Sequence, residues 1–546
     1  MECHCIRWSE LPHTSKLFAA YLDEFSRAAG FYAHPPTLDG LRSAAAGLRD
    51  FDAGERAAVV AALREQNRAF SSDAATQRNL DRLAAGAVAI VTGQQVGLFS
   101  GPSYSFYKAL SAVRWAEELT KSGTEAVPVF WLATEDHDAA EVSRCSLLDR
   151  QGELHNFEVQ ISEGRVGSSV GEIAFGAEIV EIASAASELL GGPGDNPVAQ
   201  AVAESYRPGE TFGSAFAKLL ARVLRGRGLI LLDPLDARLR RLASAVLRRA
   251  LEENDALIAG LLARKAELEG AGFHAQVKVT PRATLLFESV DGRRLPLRKT
   301  NQGFVADAPT RQGSGGRQRS RDGLLRSIES SPEQFTPNVL LRPVVQDALL
   351  PTAACVAGPA EIAYFAQAAV LYQRLLGRMP AILPRASFTL VEPHVARLLK
   401  KYRLEIGDVA RGRQHLGARL EQESLPKNLA RRFAAGEKKL RAALTSLGGP
   451  LATLDPTLLG ALGTAEKKML FQFLKLRAKA GRAENFCTGV LDRQERVMLN
   501  SLYPHRGLQE RTVCFLSFLA RHGPALLDAL QDRAATDISQ HKILQL

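Results

Sequence analysis

The chain is poor in cysteine, and the spacing of its cysteines does not suggest a disulfide framework. Six cysteines are scattered over 546 residues, a distribution typical of proteins from a reducing compartment. Cys3-His-Cys5 places two soft metal ligands close together, but no second ligand pair follows at the spacing of a zinc site. We therefore interpret this segment as a chance cluster, and we predict no metal centre.

The chain also lacks any uncharged hydrophobic run long enough to span a bilayer, and its first ten residues do not resemble a signal peptide. These absences predict a cytoplasmic protein without membrane contact. The hydrophobic content of 46% and the charged content of 23% are ordinary for a globular protein. At 546 residues the chain is too long for one ordinary core, so we expect several domains.

Positive charge is in excess, with a formal net charge of +10. A basic protein suits anionic partners such as nucleotides, small carboxylates or RNA. Much of the excess falls in the helix-rich C-terminal third, and no aromatic residues alternate with these charges as a groove for single-stranded nucleic acid requires. We therefore interpret the basic residues there as solvated helix faces, and we do not expect nucleic acid as a partner.

A glycine-rich segment follows the first clear strand. The apolar run from Ala87 to Val91 predicts a buried strand, and a helical pattern begins at Tyr104. A strand, a glycine loop and a helix N-terminus together can direct backbone N–H groups at a phosphate. The segment also has more hydrogen-bonding side chains than a structural turn needs, so we predict a substrate site formed by Thr92, Gln94, Gln95, Gly97, Ser100, Gly101, Ser103 and Tyr104.

A cluster of titratable residues follows the second predicted strand. The run that begins at Val127 completes a βαβ unit and ends in Glu135-Asp-His-Asp138. Open α/β sheets bind their ligands at the carboxyl ends of parallel strands. His137 suits a general base near neutral pH, and Asp136 or Asp138 can orient its imidazole or hold Mg²⁺ through water. A solvated loop would also tolerate these charges, and the position at the strand end favours the catalytic interpretation.

A third group of polar residues surrounds a predicted helix start at Gly358-Pro359. Proline is favoured at the first position of a helix, and the N–H groups there can bind an anion. Arg342 offers a planar fork that suits a carboxylate or a phosphate. An amphipathic helix with ordinary surface residues would show the same pattern, so both interpretations stay open; the candidates for substrate binding are Asn338, Arg342, Gln346, Gly358, Glu361 and Tyr364.

The remaining patterns predict a parallel α/β core followed by a long helical region. The apolar run from Gly228 to Asp233 predicts another strand of the parallel sheet. From Glu392 onward nearly all residues are helix formers, and a break at Gly448-Gly-Pro450 predicts an antiparallel helical hairpin. A hairpin of this length cannot be buried against a compact core, so it should project from the core or pair with another subunit.

Together these segments resemble those of the bacillithiol biosynthesis cysteine-adding enzyme family. They occur in the family's order and span nearly the whole chain, and the Thr-Gly-Gln-Gln and Glu-Asp-His-Asp pieces are the most specific. The matching segments are Thr92-Gly-Gln-Gln-Val-Gly-Leu-Phe-Ser-Gly-Pro102, Pro128-Val-Phe-Trp-Leu-Ala-Thr-Glu-Asp-His-Asp138, Gly228-Leu-Ile-Leu-Leu-Asp-Pro234, Phe335-Thr-Pro-Asn-Val-Leu-Leu-Arg-Pro343, Gln346-Asp-Ala-Leu-Leu-Pro-Thr352, Gly358-Pro-Ala-Glu-Ile-Ala-Tyr364 and Leu508-Gln-Glu-Arg511.

The resemblance implies an α/β protein with a Rossmann-like parallel-sheet core, inserted connecting segments and a C-terminal α-helical coiled-coil arm that supports a homodimer. Combined with the patterns above, it predicts the following divisions: core at 1–157, 212–250 and 335–391, connecting insertions at 158–211 and 251–334, the coiled-coil hairpin at 392–500 and a C-terminal helical segment at 501–546.

The resemblance also implies an activity, the joining of L-cysteine to glucosaminyl malate by an amide bond in the last step of bacillithiol biosynthesis. A carboxylate is a poor electrophile and must be activated as an adenylate or an acyl phosphate, so we expect ATP, with ADP as a related ligand, and Mg²⁺. His137 would take the proton of the attacking amine, and Lys108 or Arg342 would balance negative charge in the transition state. No standard ATP motif occurs, and candidates for the adenine nucleotide site are Tyr503, Gln509 and Arg511.

Two other functions remain open at the level of sequence. One is an RNA-linked ligase with an aminoacyl-tRNA-synthetase-like core and a basic arm that grips tRNA, whose RNA affinity would fall steeply with salt. The other is a non-catalytic scaffold that binds metabolites and dimerises through its arm. Such a scaffold would show no turnover of cysteine, glucosaminyl malate and ATP.

Overall fold

The computed structural model describes residues 2–11, 14–48, 51–306, 318–423, 425 and 427–546. Its strands are β1 (Cys3–Arg7), β2 (Val88–Gln94), β3 (Ala126–Leu132), β4 (Arg144–Leu148), β5 (Leu154–Glu158), β6 (Ile230–Leu232), β7 (Ala283–Val290), β8 (Arg293–Thr300), β9 (Gly303–Ala306), β10 (Phe335–Pro337), β11 (Thr352–Ala357), β12 (Ala381–Pro384), β13 (Phe388–Val391) and β14 (Gln540–Gln545).

The helices that precede residue 392 are α1 (Lys16–Asp23), α2 (Leu38–Ala46), α3 (Ala53–Ala69), α4 (Ala74–Ala84), α5 (Tyr104–Lys121), α6 (Ala139–Val142), α7 (Ile179–Leu189), α8 (Pro197–Ser205), α9 (Phe212–Val223), α10 (Ala237–Glu252), α11 (Asn254–Gly270), α12 (Arg321–Ser330), α13 (Arg342–Leu349) and α14 (Pro359–Leu375). Those that follow are α15 (Pro393–Tyr402), α16 (Ile406–Ala410), α17 (Arg413–Glu423), α18 (Lys427–Ser446), α19 (Gly448–Leu454), α20 (Leu458–Thr488), α21 (Val490–Leu502), α22 (Leu516–His522) and α23 (Ala525–Asp532).

Five parallel strands in the order β12-β11-β2-β3-β6 form the central sheet. The chain therefore builds the sheet outward from β2, first through β3 to β6 and then on the other side through β11 to β12. This is the strand order of a Rossmann fold. All five strands are parallel, and the direction in which successive strands are added reverses between β2 and β11. The predicted Rossmann-like parallel-sheet core is confirmed, and the run from Gly228 to Asp233 forms β6 within it, as predicted.

Helices cover both faces of this sheet, so its strands are buried nearly throughout. Alternate residues of a strand point to opposite faces. Val91 and Val129 pack on one side with residues of α3, α10 and α14, whereas Phe130 packs on the other side with residues of α5 and α9. Because apolar residues are needed on both faces, β2 and β3 read as continuous apolar runs rather than as alternating patterns.

Three smaller sheets surround the central sheet. Strands β4 and β5 form an antiparallel hairpin, and β10, β7, β8 and β9 form an antiparallel sheet in that order. In the third sheet β14 lies between β1, with which it is antiparallel, and β13, with which it is parallel. The C-terminal part of the chain is thereby hydrogen-bonded both to the first strand and to the end of the core.

Helices α15 to α21 form the helical arm, in which α17 and α18 pack against α20. Rings of Phe433 and Phe473, 5.4 Å apart, connect α18 with α20. The position of the predicted break is wrong, because Gly448-Gly-Pro450 begins α19 and the residues outside the helices are Leu447 and 455–457. Proline is compatible with the first turn of a helix, where no N–H donor is required. Within the described ranges, no helix is both long and apolar enough to cross a bilayer.

Candidate active site

A cavity of about 650 Å³ opens at the carboxyl ends of β2, β3 and β11. This is the place where the strand order reverses, which is the usual ligand crevice of an open α/β sheet. Its wall is formed by Gly93, Gln94, Gln95, Tyr104, Lys108, Trp131, Ala133, Glu135, Asp136, His137, Glu141, Val277, Phe287, Arg294, Pro337, Asn338, Val339, Arg342, Gly358, Pro359, Ala360, Glu361, Tyr364, Arg385 and Arg511.

The residues that follow β2 and β3 meet in this cavity. Gln94 ends β2 and is followed by Gln95, while Asp136 and His137 come after the end of β3. The Gln95 amide nitrogen donates to Asp136 Oδ2 at 2.7 Å. The two strand ends therefore face the same crevice, which is the arrangement that a shared substrate site requires.

Lys108 is a buried cation in the wall, carried by α5. Its Nζ lies 2.5 Å from Glu361 Oε2 and donates to the Gly93 carbonyl at 2.7 Å and to Gln94 Oε1 at 2.9 Å. The Gly358 N–H also donates to Glu361 Oε2, at 2.7 Å, so this donor at the start of α14 is already engaged. Burial lowers the pKa of Lys108, and the charge of Glu361 opposes that effect. The ion pair connects the two halves of the sheet across the switch point.

His137 is held by a guanidinium group. Its Nδ1 lies 3.0 Å from Arg294 Nη1 and 3.5 Å from Asp136 Oδ1. A guanidinium can only donate, so the shorter contact makes Nδ1 an acceptor and places the ring proton on Nε2. His137 also lines the cavity, and its role as the general base stays a prediction.

Asp136 and Asp138 have different surroundings. Burial favours a raised pKa for Asp136, but its hydrogen bonds and the nearby Arg294 outweigh burial and hold the pKa well below its usual range. Asp136 is therefore a fixed anion in the wall. Asp138 does not line the cavity, because its carboxylate caps α6 by accepting the N–H of Glu141 at 3.2 Å.

Arg342, the first residue of α13, presents its guanidinium to the cavity. Its Nη1 donates to Gln346 Oε1 at 3.1 Å, and its Nη2 donates to the Tyr364 hydroxyl at 3.2 Å. Gln346 is buried outside the wall, so it orients Arg342 instead of touching a ligand as predicted. Asn338 lines the cavity and also fixes the chain before α13, since its Oδ1 accepts two backbone N–H groups at 3.0 Å.

The glycine loop does not form the predicted phosphate cradle. Its short 3₁₀ turn, Leu98–Ser100, is fully buried. The N–H groups of Gly97 and Gly101 are bonded within the loop, to the carbonyls of Gln95 at 3.0 Å and Leu98 at 2.8 Å. A Cβ on Gly97 would lie 3.1 Å from the Cα of Gly101. The glycines therefore permit close backbone packing rather than the approach of a ligand.

The hydroxyl groups of this segment serve the same structural purpose. Thr92 Oγ1 donates to the Val356 carbonyl at 2.9 Å, and Ser103 Oγ donates to the Val513 carbonyl at 2.5 Å. Ser100 Oγ lies 3.8 Å from the Cys514 sulfur. These contacts connect the segment to β11 and to the C-terminal region. The predicted substrate-binding residues of this segment that lie outside the cavity wall are Thr92, Gly97, Ser100, Gly101 and Ser103.

The C-terminal region forms part of the wall through Arg511. In the part of the chain that the structure describes, the Arg511 guanidinium makes no hydrogen bond or ion pair, which leaves it available to an anion. Tyr503 and Gln509, the other nucleotide candidates, do not line the cavity. Gln509 is fully buried, and its side-chain amide bonds the N–H and the carbonyl of one β13 residue, both at 2.8 Å. Its role is to connect elements of the fold.

Several residues of the wall belong to no sequence motif and were not among the predicted site residues. Arg294 belongs to β8 and Arg385 follows β12, so only the folded chain brings them to the strand ends. Glu135 belongs to the run of titratable residues after β3, and its position at the strand end could have identified it as a site residue. The wall carries five cationic side chains, Lys108, Arg294, Arg342, Arg385 and Arg511, and four carboxyl groups, Glu135, Asp136, Glu141 and Glu361. Such a cavity suits an anionic ligand that also offers hydrogen-bond donors.

Comparison with known proteins places the whole chain in one family. Residues 1–386 match the N-terminal Rossmann-like domain of bacillithiol biosynthesis BshC, and residues 388–546 match its C-terminal coiled-coil domain. A protein of Koribacter versatilis with the name "Putative cysteine ligase BshC" is 40% identical, over 99% of each chain. A protein of the same name from Solibacter usitatus is 38% identical over 100% of each chain. Another, from Salinibacter ruber, is 33% identical over 97% of this chain and 96% of its own. The chain therefore belongs to the BshC family of bacillithiol biosynthesis, and it is an enzyme of the ligase class.

Proposed function

We propose that this enzyme is a cytoplasmic ligase that joins the carboxyl group of L-cysteine to the amine of glucosaminyl malate, the last step of bacillithiol biosynthesis. The observation that carries the proposal is the cation-rich cavity at the switch point of the sheet. The malate part of the acceptor has two carboxylates, and arginine forks are the natural partners of such groups. The name of the relatives supports cysteine as the other substrate.

We assign the malate carboxylates to Arg342 and Arg511. Arg342 is held in place by Tyr364 at 3.2 Å, so little conformational freedom is lost when it binds an anion. Hydroxyl groups of the sugar would bond the amides of Gln94 and Asn338, which line the same cavity. Lys108 would balance the negative charge that develops on the carbonyl oxygen through its positive charge alone, because its three N–H donors are engaged by Glu361, Gly93 and Gln94.

Activation of the cysteine carboxylate requires ATP with Mg²⁺, and ATP supplies the leaving group for the reaction. The cavity fits phosphate by charge, because Lys108, Arg294 and Arg385 line it besides the two arginines assigned to malate. It does not offer a glycine-loop cradle, because the N–H groups of Gly97 and Gly101 are bonded within the loop. Among the described residues no three His, Cys, Asp or Glu side chains cluster as a metal site, so we expect phosphate oxygens and water to supply most ligands of Mg²⁺.

The direct test supplies the purified full-length enzyme with L-cysteine, glucosaminyl malate and ATP and measures bacillithiol by thiol labelling. We expect bacillithiol to form with consumption of ATP, and omission of any one substrate should abolish it. A deletion strain should lose bacillithiol and accumulate glucosaminyl malate. Normal bacillithiol in that strain would exclude the proposal, whereas RNA binding that weakens steeply with salt would favour an RNA-linked ligase.

We further propose that the arm forms a homodimer. Phe471 and Leu474 of α20 are three residues apart and share one helical face, and their exposed fractions are 62% and 42%. Met469, Leu476 and Leu459 of the same helix are also exposed. Exposed apolar residues at this density on one helix mark a surface that binds protein, and a second copy of the arm offers the same chemistry.

A Phe471→Glu/Leu474→Glu variant should convert the dimer to a monomer, because the two carboxylates would be buried against their symmetry mates. Light scattering after size-exclusion chromatography measures the change against the monomer mass of 59.2 kDa. Val180→Glu is the matched control, since this apolar residue of α7 is 54% exposed and lies far from the arm in sequence. A wild-type enzyme that elutes as a monomer, or a double variant that stays dimeric, would contradict the arm interface.

A further inference from the structure

Glu135 has no role in the assignments above, although its carboxyl group lines the cavity. It follows β3 by three residues, next to Asp136 and His137, and only 9% of the residue is exposed. Within the described residues no hydrogen bond is made to its carboxyl oxygens, in contrast to Asp136, which accepts from Gln95. A carboxyl group that lines a cavity and has no protein donor among the described residues is available to a ligand.

Three arginines act on Glu135 from different elements. Arg294 and Arg342 share the cavity wall with it, and Arg240 shares with it the wall of a much smaller neighbouring cavity. The Nε–H of Arg240 is buried and has no acceptor among the described residues. Burial raises the pKa of Glu135 to about 7, while the positive charges of the three arginines act in the opposite direction. The group can therefore exchange a proton near neutral pH, where enzymes use their general bases.

The neighbouring titratable groups of the wall are less suited to that task. His137 already accepts from Arg294 through Nδ1, at 3.0 Å. Asp136 is a fixed anion of low basicity, and Glu361 is paired with Lys108 at 2.5 Å. Glu141 lines the wall from α6 and is exposed. Glu135 alone among these combines a place at the strand end with deep burial and an unbonded carboxyl group in the described structure.

We propose that Glu135 is the catalytic base that accepts the proton of the attacking amine. This assignment rests on the proposed ligase function. The amine nitrogen forms a bond to the carbonyl carbon of the activated cysteine, and the bond from that carbon to the oxygen of its leaving group breaks, so the electron pair departs with the phosphate-containing group. The proton of the amine moves to Glu135 and passes from there to solvent.

The test compares Glu135→Gln with the wild-type enzyme in steady-state turnover. Glutamine keeps the shape of the side chain but cannot accept the proton, so kcat should fall about 100-fold or more, whereas KM for glucosaminyl malate should change by no more than about threefold. The pH profile of kcat/KM for the wild type should show an acidic limb near the pKa of Glu135. Glu163→Gln, on an exposed turn, is the matched control and should retain full activity and the limb.

A second measurement does not depend on turnover. Because the pKa of Glu135 is raised in the folded enzyme, its contribution to stability is present below the ordinary carboxyl pKa and is lost as the pH rises through about 7. The Tm of the wild type should therefore fall relative to that of Glu135→Gln between about pH 5 and about pH 8. If Glu135→Gln does not fold, Glu135→Asp keeps the carboxyl group and should lower kcat while it retains a titrating limb.

The outcomes separate the two proposals. A wild type without turnover of the three substrates overturns the ligase function, and the role of Glu135 with it. A wild type that turns over while Glu135→Gln keeps kcat within about threefold overturns only the role of Glu135. A Tm difference that does not change with pH would also overturn it, since the carboxyl group would then titrate alike in the folded and unfolded chain.

Discussion

Glu510→Ala should lower the free energy of unfolding by about 3–5 kcal/mol, because it leaves a buried guanidinium without its anion. Arg385 Nη2 lies 2.6 Å from Glu510 Oε1, and the two side chains are 3% and 0% exposed. The second oxygen of Glu510 accepts the Phe388 N–H at 3.1 Å. Removal of the carboxylate therefore breaks contacts both with the cavity wall and with β13. Urea denaturation followed by circular dichroism measures the loss.

Two variants check the physical cause. Arg385→Met/Glu510→Leu removes both charges and should recover much of the stability, because no charge is then buried alone. Asp39→Ala breaks an exposed pair with Arg42 at 3.1 Å and should cost less than about 1 kcal/mol. Equal losses for Glu510→Ala and Asp39→Ala would contradict the argument from burial.

The Glu510 contribution should also depend on pH. Burial alone would raise the pKa of Glu510, but Arg385 and further hydrogen bonds outweigh it and hold the pKa below its usual range. A carboxyl group with a lowered pKa in the folded state stabilises the protein above its ordinary pKa, and this stabilisation is lost as the pH falls through the lowered value. The difference between wild type and Glu510→Ala should therefore shrink in acid.

Lys108→Met should lower kcat/KM about 10- to 100-fold, because it removes a preorganised positive charge from the cavity wall. The substitution keeps the apolar stem but removes the charge that faces Glu361 at 2.5 Å. It also removes the donor to the Gly93 carbonyl and to Gln94 Oε1. Steady-state turnover of cysteine, glucosaminyl malate and ATP measures the effect.

Lys121→Met is the control on the same helix, because this lysine ends α5 and is 63% exposed. It should leave kcat/KM and Tm unchanged. Thermal unfolding of Lys108→Met shows whether the variant is folded, which separates a catalytic effect from a loss of fold. A folded variant with full activity would contradict the role of Lys108 in catalysis. Glu361→Gln provides a second comparison, because it keeps the lysine and removes its anionic partner.

The sequence was sufficient to place the strand ends but not the function of every residue near them. Continuous apolar runs mark strands buried on both faces, so the ends of β2 and β3 were predicted, and the polar residues that follow them were named as candidates. The glycine loop was misread because Gly97 and Gly101 suit both a phosphate cradle and close packing. Residue type does not reveal that the Gly97 and Gly101 N–H groups bond within the loop, or that Ser103 bonds Val513, about 400 residues further along the chain.

Long-range contacts explain the other differences as well. Gln509 has a side-chain amide of the kind that binds ligands, but its oxygen and nitrogen are hydrogen-bonded to the backbone of β13. Arg294 and Arg385 stand in segments without a motif, and only the crossing of distant elements brings them to the cavity. Gly448-Gly-Pro450 looks like a break, but proline and glycine are tolerated in the first turn of α19.

The place of β14 has a consequence for biosynthesis. Strands β1 and β13 have no shared partner until residues 540–545 are made, because β14 lies between them. A ribosome adds about 5–20 residues per second, so the nascent chain carries the unpaired edge of β1 for roughly half a minute to two minutes. Such an edge can pair with other nascent chains. We expect trigger-factor-type chaperones to shield it during translation, and premature termination before residue 540 to yield chains that aggregate.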